Sequence, residues 1–153
     1  MDKIDLHIHS SYSDDADFPV GEVVDIAREN DLAIISITDH NSSQSASDGV
    51  KFCSDRNIGF ITGIEIDCSF NKRNFHLLGY GYNKDTRDFH YIQSEFIRKQ
   101  KEAMPVKIKR LKDMGFFLEE DFLYENIKGA VPQEYSNKEL ISIRQFIDRV
   151  RVY

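Results

Sequence analysis

At 153 residues, with 41% hydrophobic and 30% charged residues, the chain has the size and composition of one globular domain, 1–153, and not those of a disordered polymer. A formal net charge of −6 and a pI near 5.3 argue against broad, non-specific nucleic-acid binding, which needs a basic face. They leave room for an acidic pocket that gathers metal ions, because bound cations reverse the local field. There is no apolar run of about 18 residues and no signal-peptide pattern, so no membrane partner is expected. Cys53 and Cys68 lie outside any CxxC spacing, and free thiols in the cytoplasm are the expectation.

Lys3 to His9 reads as the first strand. Side chains alternate along a strand, so His7 and His9 project to one side while Leu6 and Ile8 are expected to enter the core. Paired imidazoles at a strand end can hold a divalent metal, and Asp14, in the Ser/Asp-rich loop Ser10 to Phe18, can return a carboxylate to the same mouth. Pro19 suits a first helical turn. Val20, Val23, Val24 and Ala27 then make one apolar stripe, and the helix is expected to end near Asn30-Asp31. Leu32 to Thr38 is a nearly unbroken apolar run, as in a strand buried on both faces of a parallel sheet.

Asp39-His40-Asn41 follows at once. Ala46 to Arg56 is expected to be the second helix. Gly59 to Asp67 reads as a third strand with Glu65 near its carboxyl end. Phe70 to Asn74 reads as a turn, and Phe75 to Tyr80 as a fourth strand pairing with the third as a hairpin. The motif-bearing half, 1–82, is thus an α/β alternation with its site at the strand carboxyl ends.

The half 85–153 is predicted to be helical. Asp88 to Met114 carries Ile97, Met104, Ile108 and Leu111 on one face, with Pro105 as a kink or break. Its basic residues (Arg98, Lys99, Lys101, Lys107, Lys109, Arg110, Lys112) read as a solvated face, with attraction of a polyanionic substrate as the functional alternative. Further helices are expected over Leu118 to Ile127 and Asn137 to Val150, joined by a linker at Gly129 to Ser136.

Of five histidines, His7, His9, His40 and His76 sit at or just past apolar strands; His90 falls in the helical half and is read as non-functional. Glu65 among imidazoles can bridge two cations. Taken in order, the motifs His7-Ile-His9-Ser-Ser-Tyr-Ser-Asp14, Ile37-Thr-Asp-His40-Asn, Gly63-Ile-Glu65 and His76-Leu-Leu-Gly-Tyr-Gly81 closely resemble the first four of the PHP (polymerase and histidinol phosphatase) family. Amidohydrolase-type hydrolases also begin with His-x-His on a strand, but the Ser-Asp loop and Gly-Ile-Glu favour PHP.

The resemblance implies a distorted (β/α)7 barrel, here only its N-terminal part plus C-terminal helices. It also implies two or three divalent ions (zinc, manganese or iron) and hydrolysis of phosphate esters by a metal-activated water. By the same resemblance, His7 and His9 ligate one metal and Glu65 bridges it to a second that His76 also holds; these four would carry catalysis. Asp14 with His40 would hold a third ion, and Asp39 would orient an imidazole from behind.

Substrates implied are phosphorylated small molecules or nucleotides, with nucleic-acid ends a further class. The family's later ligands, a His or Cys after the basic helix and a closing Asp-x-His, have no counterpart: Gly129-Ala-Val-Pro-Gln-Glu-Tyr135 lacks both residue types, and no histidine follows His90. A non-catalytic, degenerate metal-binding or interaction module is therefore the alternative. An unfinished barrel would expose a sheet edge, to be covered by a homo-oligomer, a partner chain or the C-terminal helices.

Overall fold

The computed structural model describes residues 2–115. The predicted helices Leu118 to Ile127 and Asn137 to Val150, and the linker Gly129 to Ser136, lie outside them. The elements are β1 (Lys3–Ile8), α1 (Val20–Glu29), β2 (Leu32–Ile37), α2 (Ser45–Asp55), β3 (Gly59–Phe60), β4 (Gly63–Phe70), β5 (Arg73–Tyr80) and α3 (Arg87–Asp113). Strands β1, β2 and β3 form a parallel sheet in that order, joined by helical crossovers, and β4 and β5 form an antiparallel hairpin. The α/β alternation is that expected.

The apolar stripe of α1 is the core. Val20, Val23, Val24 and Ala27 pack with Ile35 and Ile37 of β2 and with Cys53 and Ile58. α1 starts after Pro19, with its N–H groups at Glu22 and Val23 bonded to the Pro19 carbonyl, and stops at Asn30, where Asp31 takes φ 58. α2 ends in a Schellman turn: Ile58 N–H reaches Cys53 O, Asn57 N–H reaches Ser54 O, and Asn57 adopts φ 54. Arg56 then closes α2 against α1 through a bidentate pair with Asp25.

Three expectations change. Leu6 is exposed, as is Ile4; only Ile8 of β1 joins the core. β1 is an edge strand among the described residues, and from β5 the Tyr80 hydroxyl donates to the Leu6 carbonyl (2.8 Å) while the Leu6 and Ile4 side chains stay exposed. The single strand Gly59 to Asp67 divides into β3 and β4. At Gly63 a Cβ would lie 2.2 Å from Ser36 Oγ and 2.8 Å from the Ile37 carbonyl, so the chain crosses β2 at backbone distance before pairing with β5.

Of the kink or break expected at Pro105, the break does not occur: the proline lies inside one continuous α3. Met104 and Ile108, on either side of it, are both buried. Each such burial contributes about 2 kcal/mol, which offsets the ~3 kcal/mol cost of an interior proline. The basic residues of α3 are partly neutralised on the helix itself: Arg98 pairs with Glu95 and Glu102, and Lys109 with Asp113. That is the solvated face.

The β4–β5 connection is two residues, Asn71-Lys72, both left-handed (φ 48 and 63), as in a type I′ turn. The turn sets a register that pairs Asp67 with His76 and Glu65 with Leu78. Glu65, Asp67 and His76 thereby share one face of the hairpin. The close passage at Gly63 puts that face over the end of β2. Gly63→Ala is expected to cost about 1–3 kcal/mol through overpacking against Ser36 and Thr38, measured by chemical denaturation.

Candidate metal centre

The ends of β1 and β2 meet one face of the β4–β5 hairpin at a single mouth, and Glu65, expected near the carboxyl end of its strand, is instead the third residue of β4. β1 delivers His7 and His9, β2 delivers Asp39-His40-Asn41, β4 delivers Glu65 and Asp67, and β5 delivers His76. Backbone bonds hold the β2 end against β4: Asn41 N–H donates to Glu65 O (2.7 Å) and Glu65 N–H to Asp39 O (3.2 Å).

Glu65, 2% exposed, is the hub. Its Oε2 lies 2.8 Å from His7 Nε2 and 2.8 Å from His9 Nε2, and its Oε1 lies 2.6 Å from His76 Nδ1. His40 Nε2 stands 3.7 Å from the same Oε2. Four imidazoles thus each turn one nitrogen toward a single carboxylate, and neighbouring rings are 5.2, 4.9 and 4.8 Å apart along the row His7, His9, His40, His76. Burial pushes the Glu65 carboxyl up, but the hydrogen bonds from His7 and His9 and the charge of His40 outweigh it and hold it below the ordinary range.

Two rings are oriented from behind by carboxylates. His9 Nδ1 is 2.9 Å from Asp15 Oδ1, and His40 Nδ1 is 2.9 Å from Asp67 Oδ1. The bond to Asp67 raises the His40 pKa to about 9, against the opposing effect of burial, with Glu65 and Asp15 adding charge attraction. Three groups have the spacing to hold an ion: His7, His9 and Glu65; His9, Asp15 and His40; His40, Asp67 and His76.

His7, His9, His40, Glu65 and His76 are therefore brought together as the sequence suggests. Asp14 is not in any of the three groups. The turn closed by Ser13 N–H to Ser10 O, and the Ser13 hydroxyl bond to Asp15 Oδ1 (2.7 Å), aim Asp15 inward instead. Asp14 stays in the field of the mouth: burial raises its carboxyl, His40 lowers it, and Asp15 and Asp67 raise it again.

Asp39 is fully buried and bonds Ser10, not an imidazole. Ser10 N–H donates to Asp39 Oδ1 (2.6 Å) and the Ser10 hydroxyl to Oδ2 (2.8 Å), which pins the residue following His9 to the β2 end. Burial raises the Asp39 carboxyl despite these bonds.

Asp15, Asn41 and Asp67 were not among the predicted site residues. Asp67 had a signal, since it lies two positions after Glu65 on the same strand face. His90 sits on α3, outside the three groups. No helix among the described residues is long and apolar enough to cross a membrane.

The sequence matches the PHP domain family over residues 5–145. It is 28% identical over 146 residues to the 3′,5′-nucleoside bisphosphate phosphatase of Chromobacterium violaceum, covering 95% of this chain and 48% of that protein. It is 25% identical over 140 residues to the 5′-3′ exoribonuclease of Haemophilus influenzae, covering 92% of this chain and 45% of that protein. The chain spans about half the length of these relatives. A solved structure from Bifidobacterium adolescentis, assigned as a metal-dependent phosphoesterase, shares the fold with a TM-score of 0.64 over 90% of this chain and 46% of the other, at 19% identity.

Proposed function

From the premise that the chain belongs to the PHP domain family, we propose that it carries the ion-holding part of a phosphoesterase site and that its substrate is a phosphate monoester of a nucleotide or similar small molecule. The observation that carries this reading is the convergence of four imidazoles on one buried carboxylate. Imidazole nitrogens with carboxylate oxygens suit zinc, manganese or iron. Glu65 turns Oε2 to His7 and His9 and Oε1 to His76, the donor arrangement for bridging two cations. His40 with Asp15, whose facing atoms are 3.7 Å apart, offers a place for a third.

Divalent cations held there supply a nucleophile at neutral pH by acidifying water and offset the charge that develops on the phosphoryl group. The protein's own part is positional. Glu65 and the four histidines fix where the ions sit, and Asp15 and Asp67 fix two of the rings. The named relatives act on a nucleoside bisphosphate and on RNA, which favours a nucleotide ester. The net charge of −6 favours a small nucleotide over a long polyanion. Two free cysteines, Cys53 and Cys68, fit a reducing cytoplasmic setting. The outer edge of β1, with Ile4 and Leu6 exposed, is where a second chain would add its strand.

A second reading is a metal-binding module without turnover, in which the same cluster of imidazoles around Glu65 holds ions and does no chemistry. Elemental analysis combined with phosphate release from nucleoside bisphosphates, mononucleotides and a 5′-phosphorylated oligonucleotide separates the two. Bound zinc, manganese or iron with chelator-sensitive release supports the phosphoesterase. Bound metal without release supports the module, and less than one ion per chain overturns both.

A further inference from the structure

We propose that Asp67, clamped by Asn41, is a positioning residue that sets His40 with Nδ1 as the protonated nitrogen and Nε2 as the one presented to Glu65 and Asp15. The inference deepens the metal-centre reading and rests on it for its consequence, though its geometry stands in the protein alone.

Both oxygens of Asp67 are already engaged. Oδ1 lies 2.9 Å from His40 Nδ1, and Oδ2 accepts from Asn41 Nδ2 at 2.8 Å. Asn41 Oδ1 in turn accepts the Asp67 backbone N–H at 3.0 Å, so the two residues grip each other reciprocally. Asn41 is itself fixed: it is 3% exposed, sits at φ 52, and donates its own N–H to Glu65 O. Few residues other than asparagine take a left-handed backbone while offering both a donor and an acceptor at this reach.

An ionised carboxylate only accepts, so the nitrogen facing Asp67 must carry the proton. A neutral imidazole has one lone pair, which then lies on Nε2, 3.7 Å from both Glu65 Oε2 and Asp15 Oδ2. The group of His40, Asp67 and His76 consequently acts as an orienting pair beside a ligand, because His40 cannot both donate from Nδ1 and bind an ion there. Asp67 also stands opposite His76 in the hairpin register, 3.6 Å from its Nε2, so one carboxylate backs two rings from adjacent strands.

Long-range ¹⁵N NMR of the full chain tests the assignment. The spectra are taken without metal, at a pH raised until the His40 ring nitrogens no longer titrate, and with zinc at neutral pH. The expected result is Nδ1–H in both, with Nε2 shifted by zinc. An Nε2–H tautomer, or zinc on Nδ1, overturns the proposal.

Asp67→Asn is expected to weaken zinc binding about 10–100-fold and to mix the His40 tautomers while the stoichiometry is kept. Asn41→Ala, which leaves the carboxylate but frees it, should shift both readouts less and in the same direction. Unchanged tautomer and affinity in Asp67→Asn, or the loss of one equivalent of zinc with His40 unmoved, overturns it. If wild-type protein binds no zinc, the functional reading fails, and the metal-free spectrum still decides the tautomer.

Discussion

Glu65→Gln is expected to reduce metal-dependent phosphate release by at least about 10³-fold and to lower the number of ions bound per chain. The amide nearly matches the carboxylate in shape, so the effect is one of charge and of lone pairs. One oxygen of Glu65 faces His7 and His9 and the other faces His76, and a glutamine nitrogen at either place can only donate. Ions held by Glu65 with these histidines would lose a charged ligand, and a ~10³-fold loss of rate corresponds to about 4 kcal/mol. The metal-free variant carries its own control. Glu65 is one of the charges that raise His40, so the His40 pKa should fall below about 9 by NMR titration. Retained turnover with full metal occupancy would remove Glu65 from the centre. A variant that has lost its native circular dichroism would be replaced by Glu65→Asp, which keeps the charge and shortens the reach.

The parts of this site that follow from periodicity were legible in the sequence. His7 and His9 alternate with Leu6 and Ile8, and the apolar run of β2 ends at Asp39-His40. Gly63-Ile-Glu65 opens one hairpin strand and His76 sits in the other. For His7, His9 and His40 this needs only the two-residue repeat of a strand and the tendency of sites to gather at strand ends. Glu65 is the third residue of β4 and His76 the fourth of β5, placed by the hairpin and not by a strand end.

What depends on the path of a loop was not legible. Asp14 and Asp15 are adjacent, and the choice between them is made by the turn between Ser10 and Ser13 and by the Ser13 hydroxyl, which holds Asp15 inward. Asp39 resembles an imidazole-orienting acid in sequence, but the buried N–H and hydroxyl of Ser10 claim both its oxygens. The orienting role toward His40 passes to Asp67, whose partner lies 27 residues away and meets it only because Gly63 lets β4 cross β2 at backbone distance. The exposed Leu6 has a similar origin, since alternation tells which face a residue takes but not whether anything covers that face.

Metal affinity and metal-free stability should respond to pH with opposite signs between about 6.5 and 9. The folded His40 pKa, about 9, is above its ordinary 6.5, chiefly because of the Asp67 hydrogen bond and despite burial. A raised histidine pKa contributes stability that is fully present below the unfolded value and is lost as pH rises through the folded one. Asp39 and Asp14, whose carboxyls burial raises, contribute with the same sign, but their contribution begins to be lost from the ordinary carboxylate value upward and is not what defines this window. Glu65, Asp67 and Asp15 are held below the ordinary carboxylate range, so their contributions are lost only on acidification and do not enter this window.

The chelated protein should therefore melt at progressively lower temperature from pH 6.5 to 9. An ion that takes His40 Nε2 must displace its proton, so affinity should rise by up to about tenfold per pH unit until about pH 9 and then level off. Because a ligand stabilises by its concentration over its dissociation constant, the gap between zinc-loaded and chelated melting temperatures should widen across the same interval. Scanning calorimetry at fixed micromolar zinc, with and without chelator, measures both slopes at once. His40→Asn should flatten both. A gap that stays constant across the window in wild-type protein would mean that His40 does not take part in binding, and the centre would then consist of His7, His9, Glu65 and His76 alone.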